Sequence, residues 1–112
     1  MERCDMRRTP KQRINDILER IERVNEYVGA LGYNGFLADE LTIDAVTYNL
    51  EVIGEAASHV PRRVRAKYPD IDWQAVVRLR DLFFSWNPEA DRKVAWDVIK
   101  TELPELKRKL KG

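Results

Sequence analysis

A single apolar stripe constrains this chain most. Ile14, Ile17, Ile21, Val24, Val28 and Leu31 recur at alternating three- and four-residue intervals, the spacing that lines one face of an α-helix and no face of a strand. Leu18 and Tyr27 widen the stripe, which suits a helix packed in a bundle better than an isolated two-stranded coil. The start is marked as well. Thr9 can cap, Pro10 fits the first helical turn, and Gln12 completes a capping box. Asp16 with Arg20 and Glu19 with Arg23 stand four apart in the favourable acid-first order. Gly32-Tyr33-Asn34-Gly35 should end the helix.

Further helical faces follow. Val46, Leu50, Ile53, Ala57 and Val60 place a second helix from about Asp39 to His59. Gly54 inside it costs about 1 kcal/mol relative to Ala. With Ala56 and Ala57 it makes a narrow surface that another helix can approach closely. Pro61 and Pro69 bracket a short helix over Arg62–Tyr68, and Asp72 caps another from Trp73. Its apolar face runs through Val76, Val77, Leu79, Leu82 and Phe83. Asn87-Pro88-Glu89 starts the last helix, along Trp96, Ile99, Leu103, Leu106 and Leu110, with a kink expected near Thr101 from Pro104. No segment alternates with period two. The expectation is an all-α chain, one domain over residues 1–112: an antiparallel four-helix up-and-down bundle with one extra short helix.

Composition narrows the function. In 112 residues, 20 Lys and Arg face 19 Asp and Glu, so no broad basic footprint for nucleic acid is evident, although a local basic face is compatible. The lone cysteine, Cys4, excludes an internal disulfide and a cysteine-based zinc site. No cofactor motif or metal-ligand cluster is expected. Met1–Arg8 has no apolar stretch behind it, and no run approaches the roughly 18 apolar residues of a membrane span. The expected location is cytoplasmic.

Three stretches carry more specific information: Tyr48-Asn49-Leu50-Glu51-Val52-Ile53-Gly54-Glu55-Ala56-Ala57, then Trp73, then Leu79-Arg80-Asp81-Leu82-Phe83-Phe84-Ser85-Trp86-Asn87. Together they resemble the HepT-like branch of the HEPN superfamily, small helical toxins of toxin–antitoxin pairs. The resemblance runs from the first helix to Leu103-Pro104-Glu105-Leu106. It implies a homodimeric, metal-independent RNA endonuclease with a small nucleotidyltransferase-type antitoxin as partner. In that family an arginine precedes a histidine by five positions, and a tyrosine follows two further on. Arg80 fits the arginine, so the resemblance implies that it binds the scissile phosphate. Ser85 occupies the histidine position. Asn87 occupies that of the tyrosine, implied to accept AMP from the antitoxin, so this modification is not expected here.

The missing histidine has a chemical consequence. RNA cleavage without a metal needs a group near pKa 7 to move the 2′-hydroxyl proton. A serine hydroxyl cannot do this unaided, and such help is worth about 10²–10⁴-fold. Weak or lost ribonuclease activity is therefore expected, the alternative being a non-catalytic dimeric module that binds a nucleotidyltransferase-type protein. Structural roles stand beside each functional one. Arg80 can pair with Asp81, which replaces the family's usual asparagine, or with Glu51 or Glu55, of which Glu55 is preferred. His59 can serve the end of its helix. Phe83, Phe84 and Trp86 can anchor a protein partner or stack on bases. Arg62, Arg63, Arg65 and Lys67 can touch RNA phosphates or face solvent.

Overall fold

The computed structural model describes residues 8–81 and 88–111. Cys4, Leu82, Phe83, Phe84, Ser85, Trp86 and Asn87 lie outside the described residues. Within them the regular structure is entirely helical: α1 (Pro10–Val28), α2 (Tyr33–Ala38), α3 (Glu40–Ser58), α4 (Arg62–Arg65), α5 (Trp73–Val77) continued by a 3₁₀ turn (Arg78–Asp81), α6 (Pro88–Asp97), a π-helical turn (Val98–Glu102) and α7 (Leu103–Lys111). The bundle expected from the sequence is present. Its rods are α1, α3, the α5–3₁₀ unit and the continuous run from α6 to α7, with α2 and α4 as short connectors.

The capping box forms as expected. Thr9 Oγ1 accepts from the Gln12 backbone N–H at 3.1 Å, and Gln12 Oε1 accepts from the Thr9 backbone N–H at 2.8 Å. The stripe that follows is the core: Ile17 and Val24 are fully buried, and Ile14, Ile21 and Val28 nearly so. Tyr27 stays 43% exposed and does not join it. The end of α1 differs from the expectation. Gly29, at φ 53°, closes the helix by donating to the Asn25 carbonyl, a backbone state that costs glycine little. Gly32 instead leads into α2, whose Phe36 is fully buried and meets Trp96 of α6 at 5.4 Å between ring centroids.

One expected ion pair is exchanged. Asp16 is taken by Arg8 in a two-point contact of 2.6 and 2.7 Å, a fork geometry stronger than a single helix-surface pair. Arg20 turns across to α3, donating to Asn49 at 3.1 Å and lying 5.7 Å from the Tyr48 ring centre. Asn49 is 2% exposed and satisfied, since its amide donates to the Ala45 carbonyl at 2.7 Å. Glu19–Arg23 is kept at 3.8 Å.

The remaining boundaries follow local chemistry. Asp72 caps α5, as read from the sequence, and Asp39, expected only as the approximate start of its helix, caps α3. The helix expected over Arg62–Tyr68 closes after Arg65. Arg65 bends back to donate to the Val60 and Ala57 carbonyls, both at 2.9 Å, and covers Trp73 at 5.6 Å from the ring. Pro104 does not break the last rod. The irregularity includes Thr101, where a kink was expected, but takes the form of a widened turn over Val98–Glu102 in which Leu103 N–H reaches the Val98 carbonyl five residues back. That extra room accommodates a ring with no N–H to give.

Candidate functional site

The site begins with an absent side chain. A Cβ on Gly54 would lie 2.5 Å from Arg80 N, 2.9 Å from Arg80 Cβ and 2.9 Å from the Val77 carbonyl oxygen. Only glycine permits this approach, so α3 and the 3₁₀ turn meet backbone to backbone at Arg80. The surface of small residues expected around Gly54 is thus occupied by the arginine-bearing turn.

The next residue on α3 then faces the arginine. Glu55 Oε1 accepts from Arg80 Nη1 at 3.0 Å. Asp81 is the more distant partner, with Oδ2 3.9 Å from Arg80 Nε, beyond hydrogen-bonding range. Glu51 is exposed and joins no ion pair among the described residues. The preferred Glu55–Arg80 pairing is what the structure holds. Arg80 keeps 39% of its side chain exposed, and its guanidinium carries five donors in a planar fork suited to phosphate.

Glu55 has a second partner. His59, the C-cap of α3, lies one turn on, with Nε2 2.9 Å from Glu55 Oε2. One carboxylate therefore bridges an imidazole and a guanidinium. The His59 bond is the largest cause holding the Glu55 pKa below its ordinary 4.5; desolvation opposes it and Arg80 adds to it. Glu55 is accordingly ionised at neutral pH. Sequence reasoning left His59 to the helix terminus. The signal was present, since Glu55 and His59 are four apart on one helix, but two acceptors competed for the imidazole and spacing does not choose between them.

A groove of about 470 Å³ runs between α1 and α3 beside this cluster, with Arg8, Arg13, Asp16, Arg20, Tyr48 and Glu55 on its walls. Arg62, Arg63 and Lys67 are exposed, whereas Arg65 is committed to capping and to Trp73. Ser85 and Asn87, and the aromatic group Phe83, Phe84 and Trp86, lie outside the described residues. Among the described residues, no set of three or more His, Cys, Asp or Glu is placed to hold a metal, and no helix is long and apolar enough to cross a membrane.

Comparison with known proteins agrees with this architecture. The family model "Ribonuclease HepT-like" matches residues 17–112. A protein of Thermococcus cleftensis named "Probable ribonuclease HepT" is 35% identical over 104 residues, covering 93% of this chain and 94% of its own length. A Methanocaldococcus jannaschii protein named "Gamma-glutamylcyclotransferase and putative RNase" is 33% identical over 105 residues; the match spans 94% of this chain but 47% of that longer protein. A "Putative RNase" of Caldanaerobacter subterraneus is 28% identical over 104 residues, covering 93% of each chain. No solved structure matches. A family match over most of the chain and a relative aligned along nearly its full length place this protein in the HepT-like ribonuclease family.

Proposed function

We propose that this chain is the ribonuclease-type member of a toxin–antitoxin pair and that it cuts RNA slowly, without a metal. The observation that carries the reading is the exposed guanidinium of Arg80, held by Glu55 beside the Gly54 contact; the resemblance gives this residue the part of the family's motif arginine. A fixed cation of this kind binds a phosphodiester and stabilises the charge that grows on its oxygens as the bond breaks. Ser85 supplies no imidazole at the position where the family has one, so proton transfer from that position, a contribution of about 10²–10⁴ in general, is withheld. Slow cleavage is the consequence. In this reading the protein works as a cytoplasmic homodimer beside a small nucleotidyltransferase-type antitoxin. Asn87, lacking a phenol, takes no AMP from that partner.

The test is cleavage of a single-stranded RNA by the purified parent, Arg80→Ala and the double variant Ser85→His/Asn87→Tyr, in the presence of EDTA. Slow cutting by the parent, loss on Arg80→Ala and a gain in the double variant support the reading. No cutting by the parent contradicts it, and no cutting by any of the three favours a non-catalytic dimeric module that binds a nucleotidyltransferase-type protein. Co-purification of such a protein from the native source tests the pairing.

A further inference from the structure

The only imidazole in the chain, His59, sits on the same carboxylate as the proposed phosphate-binding cation. We infer that His59 is the catalytic acid–base group of the cleavage this chain retains, with Glu55 orienting its ring and Arg80 holding the phosphate. The inference rests on the ribonuclease reading above.

Three observations support it. First, an ionised carboxylate only accepts, so the 2.9 Å contact between Glu55 Oε2 and His59 Nε2 places a proton on Nε2. In the neutral ring this leaves the lone pair on Nδ1, so that the carboxylate orients the base as in a catalytic triad but with the two ring nitrogens interchanged. Second, the imidazole and the guanidinium are bound to the two oxygens of one carboxylate, and His59 keeps 45% of its side chain exposed. The shared carboxylate thus brings two exposed groups close together, and the inference has them engage one phosphodiester and its neighbouring 2′-hydroxyl. Third, the helix end does not need His59. Arg65 already donates to the Ala57 and Val60 carbonyls, both at 2.9 Å, so the cation expected at an α-helix C-terminus is supplied by another residue.

The step balances without a metal. Neutral Nδ1 takes the proton of the 2′-hydroxyl as its oxygen attacks the adjacent phosphorus. The O2′–P bond forms and the P–O5′ bond breaks, and Arg80 faces the charge on the phosphoryl oxygens. The 5′-oxygen leaves with a proton from water, and the imidazolium gives its own proton to the hydroxide so formed. The products are a 2′,3′-cyclic phosphate and a 5′-hydroxyl.

The experiment compares RNA cleavage by the parent, His59→Gln and His59→Gly, the last with and without added imidazole. The expected result is a loss of about 100-fold or more in His59→Gln and partial recovery of His59→Gly by imidazole, which a purely structural role would not give. Arg80-dependent cleavage that persists within threefold in His59→Gln overturns the inference and leaves the ribonuclease reading standing. A parent that does not cut at all overturns this inference together with the slow cleavage it rests on, whereas the preceding outcome overturns this inference alone.

Discussion

Arg80 owes its position to residues distant in sequence, and its chemistry to the balance of charges around it. Glu55 neutralises part of the guanidinium and fixes its direction, while Asp81 at 3.9 Å contributes a weaker field. The same balance makes a pH prediction. The Glu55 pKa is lowered in the folded chain, so its ion pairs stabilise the fold above the ordinary carboxylate value of 4.5 and lose that contribution as pH falls through the lower folded value. Because Glu55 is 57% exposed, solvent screening keeps the effect below about 1 kcal/mol. Thermal melts of the parent and Glu55→Gln should therefore differ at pH 7 and converge toward pH 3; a constant difference would contradict the pairing. The Arg80–Glu55 contact was legible in the sequence because two separate motif stretches named both residues. The His59–Glu55 contact was not, because a histidine at a helix end has a sufficient local use and only the placement of Arg65 removes it.

Elements were read best where a local rule acts alone. Thr9 and Asp72 cap the helices they were expected to cap, and α3 begins where expected, capped by Asp39. Boundaries moved where two rules competed. Between Gly29 and Gly35, three glycines offered a stop for α1; the first took it, because ending there lets Phe36 reach the core on a short helix of its own. Pro104 was expected to break or kink its helix, and the chain widened one turn instead. Gly54 is the most demanding of these positions. Gly54→Ala gains helix propensity of about 1 kcal/mol, yet its Cβ would fall 2.5 Å from a backbone nitrogen that cannot rotate away. The overpacking should outweigh the gain, leaving a net destabilisation of about 1–2 kcal/mol, read in urea titration. RNA cleavage should fall with it in protein that is still folded, because the displaced segment carries Arg80. A stabilised Gly54→Ala with full activity would show that the close approach is not needed.

Across the molecule, the site depends on how the rods close around one core. Phe36 ties the short α2 to α6 through Trp96, and Arg92 of α6 donates to the Leu37 carbonyl at 2.9 Å. Phe36→Ala should cost about 3–5 kcal/mol, measured by chemical denaturation; a loss below 1 kcal/mol would mean that α2 is not part of the cooperative unit. The bundle, its helix order and its family were legible because apolar spacing and capping act along the whole chain. The proposed activity was not, because it turns on the serine expected at one motif position and on how the fold places His59 and Arg80 about Glu55. The most direct measurement is therefore the initial rate of cleavage of one RNA by the parent, Arg80→Ala and Ser85→His, side by side at pH 7 in EDTA. The account predicts a slow parent, an Arg80→Ala variant slower by about 10²-fold or more, and a Ser85→His variant faster than the parent by at least about 10-fold. A parent as fast as Ser85→His, or an Arg80→Ala variant as fast as the parent, would contradict it.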